Sequence, residues 1–76
     1  MHLKELKDIN KTAYVTLIEF WSHLSRIDFN AAKADLSLDM NMRYFLERSG
    51  DTFILTDTHA DQEFEYDLDE KDWKFI

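Results

Sequence analysis

A chain of 76 residues with 45% apolar residues, six Phe, three Tyr and two Trp is one small domain, with enough apolar surface to fold despite 33% charged residues. It has no Cys, which excludes a disulfide framework and any thiolate metal site, and its net charge of −7 opposes direct binding to nucleic acid or anionic lipid. The N-terminus, Met1 to Asp8, is charged throughout and lacks the apolar core of a signal peptide, and no apolar run is long enough to span a membrane, so the composition predicts a cytoplasmic protein.

The residues predict an α+β domain over 1–76, with a helical part over 2–35 and a β meander over 41–76. Leu6, Asn10, Ala13, Leu17, Phe20, Leu24 and Ile27 alternate steps of four and three, which places them on one helix face. Tyr14, Ile18 and Trp21 widen that stripe, while Lys7, Lys11, Glu19 and Arg26 fall outside it. Asp8-Ile9-Asn10 offers a cap that divides a short first turn from the main helix. Asp28 or Asn30 caps a second short helix through Ala31, Ala32 and Ala34. A strict apolar seam would make a coiled coil with Asn10 fixing its register, but this stripe is too wide for one. It predicts packing on the chain's own sheet, with a homodimer contact through the helix as the alternative.

Residues 36–40 fit two periods. Leu36, Leu38, Met40, Met42, Tyr44 and Leu46 alternate as in a strand, whereas Leu38, Met42 and Phe45 recur at helical spacing. Strand is assigned from Asn41 to Arg48. The lone glycine, Gly50, then predicts a two-residue hairpin turn at Ser49-Gly50, which sets Arg48 opposite Asp51, Leu46 opposite Phe53 and Tyr44 opposite Leu55. Further strands are predicted over Thr52–Asp57, Glu63–Leu68 and Asp72–Ile76.

Charge is distributed unevenly over these elements. The first fifty residues balance seven acids with seven bases, whereas the remaining twenty-six hold nine acids against Lys71 and Lys74. Glu63-Phe64-Glu65-Tyr66-Asp67-Leu68-Asp69 alternates acid with large apolar residue. On a strand this turns Phe64, Tyr66 and Leu68 toward a core and lines up Glu63, Glu65, Asp67 and Asp69 in water, ~6.6–6.8 Å apart. Asp57, Asp61, Glu70 and Asp72 are predicted to extend the rail. The spacing is close to that of charges along one nucleic-acid strand, which rises ~3.4 Å per nucleotide along the axis while winding around it.

Other chemistry is scarce. A calcium loop begun at Asp57 has Gln62 where glycine belongs and Leu68 where the bidentate glutamate belongs, and one begun at Asp67 has Asp72 at the glycine position. His59 has no partner histidine nearby in sequence, and nothing brings His2 or His23 toward it. There is no nucleophile elbow and no glycine-rich phosphate loop, and carboxylates on a wet face lack the burial that would split their pKa values into an acid and a base. No catalytic, cofactor or metal residue is therefore assigned. The acids resemble an ordinary solubilising face except that no base interleaves them between Asp57 and Glu70. Such retained repulsion predicts a non-enzymatic protein whose acidic face docks into the basic cleft of a nucleic-acid-binding partner. In general character, small acidic domains of this type occur among phage and mobile-element inhibitors of nucleases and CRISPR effectors, and among immunity proteins. The alternative is a homo-oligomeric or accessory structural subunit that uses its helix as the interface.

Overall fold

The computed structural model describes residues 3–37 and 43–76. Among these, three helices, α1 (Leu3–Ile9), α2 (Lys11–Ser25) and α3 (Phe29–Ser37), precede four strands: β1 (Tyr44–Ser49), β2 (Thr52–Asp57), β3 (Gln62–Asp67) and β4 (Asp72–Phe75). The strands pair antiparallel in the order β1-β2-β3-β4, so the fold is α+β, a meander with a helical layer on one face. The ambiguous stretch opens as helix, since Leu36 is buried in α3. Leu38, Met40, Asn41, Met42 and His2 lie outside the described residues.

Asn10 divides α1 from α2 because its backbone is extended and its side chain accepts the Ala13 amide at 3.1 Å. It is a helix cap and not a register-fixing seam residue. Asp28 does the same for α3, accepting the Ala31 amide at 2.7 Å. The predicted stripe is used only in part: Ala13, Leu17, Ile18 and Trp21 are buried, whereas Leu24 and Ile27 stay 40% and 38% exposed. Leu24 lies in the last turn of α2 and Ile27 beyond its end. At Arg26 the backbone turns left-handed, with φ of 57°, and the amides of Arg26 and Ile27 both return to the Ser22 carbonyl. A side chain here pays for a conformation that glycine adopts freely. Arg26→Gly is expected to stabilise the fold by about 0.5–1 kcal/mol, read as a raised midpoint in thermal unfolding.

Leu6, Leu17, Ile18, Leu46, Leu55 and Phe64 lie at the centre of the core. Trp73 closes it from β4, where its indole nitrogen donates to the buried Ala13 carbonyl at 2.9 Å and ties the last strand to α2. Tyr66 of β3 is buried beside Trp73, and this burial raises its hydroxyl pKa above the ordinary phenol value.

The first hairpin differs from the expected register by two residues. Leu46 faces Leu55 and Arg48 faces Phe53, with Ser49 opposite Thr52, so the turn residues are Gly50 and Asp51. A shift of two keeps every side chain on its predicted face, so burial does not distinguish the two registers. Turn geometry decides: Gly50 has φ of 59° in the first central position, which suits a type II′ turn, and the Thr52 hydroxyl closes it on the Ser49 carbonyl at 2.8 Å. A Cβ at Gly50 would meet nothing within 4 Å, so a substitution there acts through backbone strain alone. Gly50→Val is expected to cost about 1–2 kcal/mol and lower the unfolding midpoint by several degrees. A midpoint equal to the parent's would disprove the turn.

Candidate protein-binding face

The sheet has two unlike sides. Tyr44, Leu46, Phe53, Leu55, Phe64, Tyr66 and Trp73 face the helices and are buried. Among the described residues the other side carries no helix, and its side chains form rows across the strands. One row is Phe45, Thr56 and Glu63; the next is Glu47, Ile54, Glu65 and Lys74; the third is Ser49, Thr52, Asp67 and Asp72. Among the described residues, five carboxylates thus share these rows with one ammonium.

β3 presents Glu63, Glu65 and Asp67 outward, as its alternation predicts, with Glu63 exposed and the other two half-buried. The strand ends at Asp67, so Leu68 and Asp69 belong to the following loop and the rail is one residue pair shorter than expected. Leu68 still packs against the core from that loop. Asp72 joins the face from β4, directly opposite Asp67, a like-charged cross-strand pair that costs stability. Asp69 and Glu70 lie in the loop at that end of β3, and Asp61 lies in the loop at the other end. Glu47 was not anticipated from the C-terminal charge run, yet β1 places it two strands from Glu65 with Ile54 between them. Lys74 interrupts the acids through pairing with Glu65, although it lies beyond them in sequence.

Asp57 is the one predicted rail residue on the wrong side. It faces inward, is 1% exposed, and pairs with Arg43 through two bonds, Nε to Oδ1 at 2.9 Å and the terminal guanidinium nitrogen to Oδ2 at 3.0 Å. Oδ1 also accepts the amides of His59 and Ala60, at 3.1 and 3.3 Å. Burial pushes this carboxyl toward the neutral form, but the Arg43 hydrogen bond, the two amides and the Arg43 charge together outweigh it and hold the pKa below the ordinary carboxylate value. The guanidinium itself lies 5.8 Å from the Trp21 ring centroid and 5.1 Å from that of Tyr44. Asp57 is therefore structural, and the partner-binding assignment for it is corrected.

The two four-residue hairpins share one construction. Asp67 Oδ1 accepts the amides of Asp69 and Glu70 at 2.8 and 3.3 Å, matching Asp57 with His59 and Ala60. Each loop closes on a left-handed residue, Asp61 with φ of 52° and Lys71 with φ of 56°. Side-chain acceptors thus organise both turns without glycine. They also occupy the carboxylates that a calcium loop would need. Among the described residues no three His, Asp or Glu side chains converge on a metal position, and no helix is long and apolar enough to cross a membrane.

No protein-family model, curated protein or solved structure matches this chain.

Proposed function

We propose that this is a small non-enzymatic inhibitor that docks its open sheet face into the basic, nucleic-acid-binding cleft of a partner protein. One observation supports this above others: Glu47, Glu63, Glu65, Asp67 and Asp72 crowd a sheet face that no described helix covers, with Lys74 the one base in their rows among the described residues. Like charges on neighbouring strands repel, and a basic surface turns that cost into attraction. Because the strand spacing resembles that of backbone charges on a nucleic-acid strand, the face competes for the same cleft. Inhibitors of nucleases or CRISPR effectors, and immunity proteins, are the class whose mode of action fits such a face.

The competing reading, a structural subunit that assembles through its helix, draws on Leu24, Ile27 and Phe29, which remain partly exposed around the α2–α3 corner. Salt and nucleic acid discriminate between them. Proteins captured by the immobilised chain at about 50 mM salt should be released by about 500 mM salt, because exposed charges are then screened within a few ångströms. They should also be displaced by duplex DNA or by RNA. Capture that survives high salt and ignores nucleic acid would refute charge mimicry and favour the helix corner.

A further inference from the structure

The open face is not uniformly acidic, and its apolar members bear on what binds it. Phe45 points away from the core and is 42% exposed, on the same strand and the same side as Glu47. Two residues along a strand are ~6.8 Å apart, so a group lying on the Phe45 ring is within reach of the Glu47 carboxylate. Ile54 lies between Glu47 on one neighbouring strand and Glu65 on the other, each strand ~4.8 Å away. Glu63 shares the Phe45 row across Thr56. Aromatic and aliphatic surface therefore alternates with carboxylates across the β1–β3 half of the face.

We infer that this half of the face selects arginine over lysine, and that its occupant is an arginine-bearing protein surface. The inference rests on the docking reading above and makes it more specific. A guanidinium is planar and weakly hydrated: it stacks on an aromatic ring while its edge donates to a carboxylate, and its aliphatic stem covers apolar surface such as Ile54. An ammonium satisfies the carboxylate equally well but keeps its water and gains less from the ring. The chain already contains this arrangement internally, where Arg43 lies over the Trp21 and Tyr44 rings while bonded twice to Asp57. On the open face the carboxylates and the ring are present and the guanidinium comes from the partner. Clefts that grip phosphates use arginine for the same planar geometry, which keeps the inference consistent with nucleic-acid mimicry.

The test uses two probes of equal charge, octa-arginine and octa-lysine, titrated into the intact chain at low salt. Octa-arginine is expected to bind about tenfold more tightly. Amide shifts on its binding should centre on Phe45, Glu47, Ile54 and Glu65. In Phe45→Ser the preference should fall to about twofold or less while octa-lysine affinity stays unchanged, since an exposed ring contributes to stacking and not to charge. Equal affinities in the parent, or a preference that survives Phe45→Ser, would overturn the arginine inference and leave electrostatic docking standing. Failure of both peptides to bind would overturn the docking reading with it.

Discussion

Arg43→Met is expected to destabilise the fold by about 3–5 kcal/mol at neutral pH, the range for removing one partner of a buried pair and leaving the other charge uncompensated. For a domain of this size that is a large fraction of the total stability. The asymmetry of the pair explains why arginine is the sensitive end. Asp57 is 1% exposed, whereas a third of the Arg43 side chain reaches solvent, so a stranded Arg43 can turn to water and a stranded Asp57 cannot. Asp57→Asn should therefore cost less than Arg43→Met. The pH dependence follows from the depressed Asp57 pKa. A carboxyl whose folded pKa lies below its unfolded value contributes stability that is complete above the unfolded pKa and is lost as pH falls through the folded one. In Arg43→Met burial is opposed only by the His59 and Ala60 amides, so the carboxyl titrates higher than in the parent and its contribution is lost earlier or reversed. The stability gap between parent and variant should be widest at neutral pH, shrink as pH falls through the variant's higher Asp57 pKa, and level off once the parent's depressed one is passed and both carboxyls are neutral. Denaturant unfolding at several pH values reads this gap. A gap that does not change with pH would assign the loss to Arg43 packing on Trp21 and Tyr44 rather than to the charge pair.

Asp57 also shows how far the sequence could be read. The same alternation that correctly turned Glu63, Glu65 and Asp67 outward places Asp57 inward, since Phe53 and Leu55 precede it at a period of two. Charge alone groups Asp57 with the rail, whereas its parity on β2 sets it on the inner face. The two equivalent turn aspartates fall on opposite faces because Asp57 pairs with Gln62 on the inner side and Asp67 pairs with Asp72 on the outer side. Asp57 is therefore buried against arginine, whereas Asp67 is only half-buried, on the open face. The number and order of the strands, the bounds of β2, the cap at Asn10 and the outward set on β3 depend on local pattern and are legible, whereas β3 runs Gln62–Asp67 and not Glu63–Leu68. The position of Glu47 is not legible, since it depends on which strands lie side by side. Nor is the turn at Gly50-Asp51, because two registers differing by two residues bury the same side chains and both accept a positive φ at Gly50; the strand pairing, with Ser49 opposite Thr52, separates them. The partial exposure of Leu24 and Ile27 also escapes a periodicity argument. Helical spacing marks a face but does not say where along its length the sheet beneath it ends.

The decisive change on the open face is Glu63→Lys with Glu65→Lys. These two are preferable to a pair that includes Asp67, whose carboxylate holds the amides of Asp69 and Glu70, so that replacing it would confound a loss of binding with a loosened turn. Neither glutamate side chain is fully buried; reversing both relieves repulsion along β3 but turns the Glu65–Lys74 cross-strand attraction into repulsion. The two effects oppose each other, so the unfolding midpoint should move by no more than about 5 °C. Binding should fall by about a hundredfold or more at low salt, because two attractive contacts become repulsive in the middle of the footprint and like-charge juxtaposition costs several kcal/mol. Raising the ionic strength should narrow the difference by weakening the parent and relieving the variant. Glu19→Lys provides the control: it makes the same reversal on an exposed position of α2, on the other side of the molecule from the open face. It should change affinity by no more than about threefold, through net charge alone. Affinity for one captured partner, measured for all three proteins at two salt concentrations, separates the alternatives. If the β3 variant binds as the parent does while Glu19→Lys fails, the contact lies on the helices and the sheet acids serve only solubility.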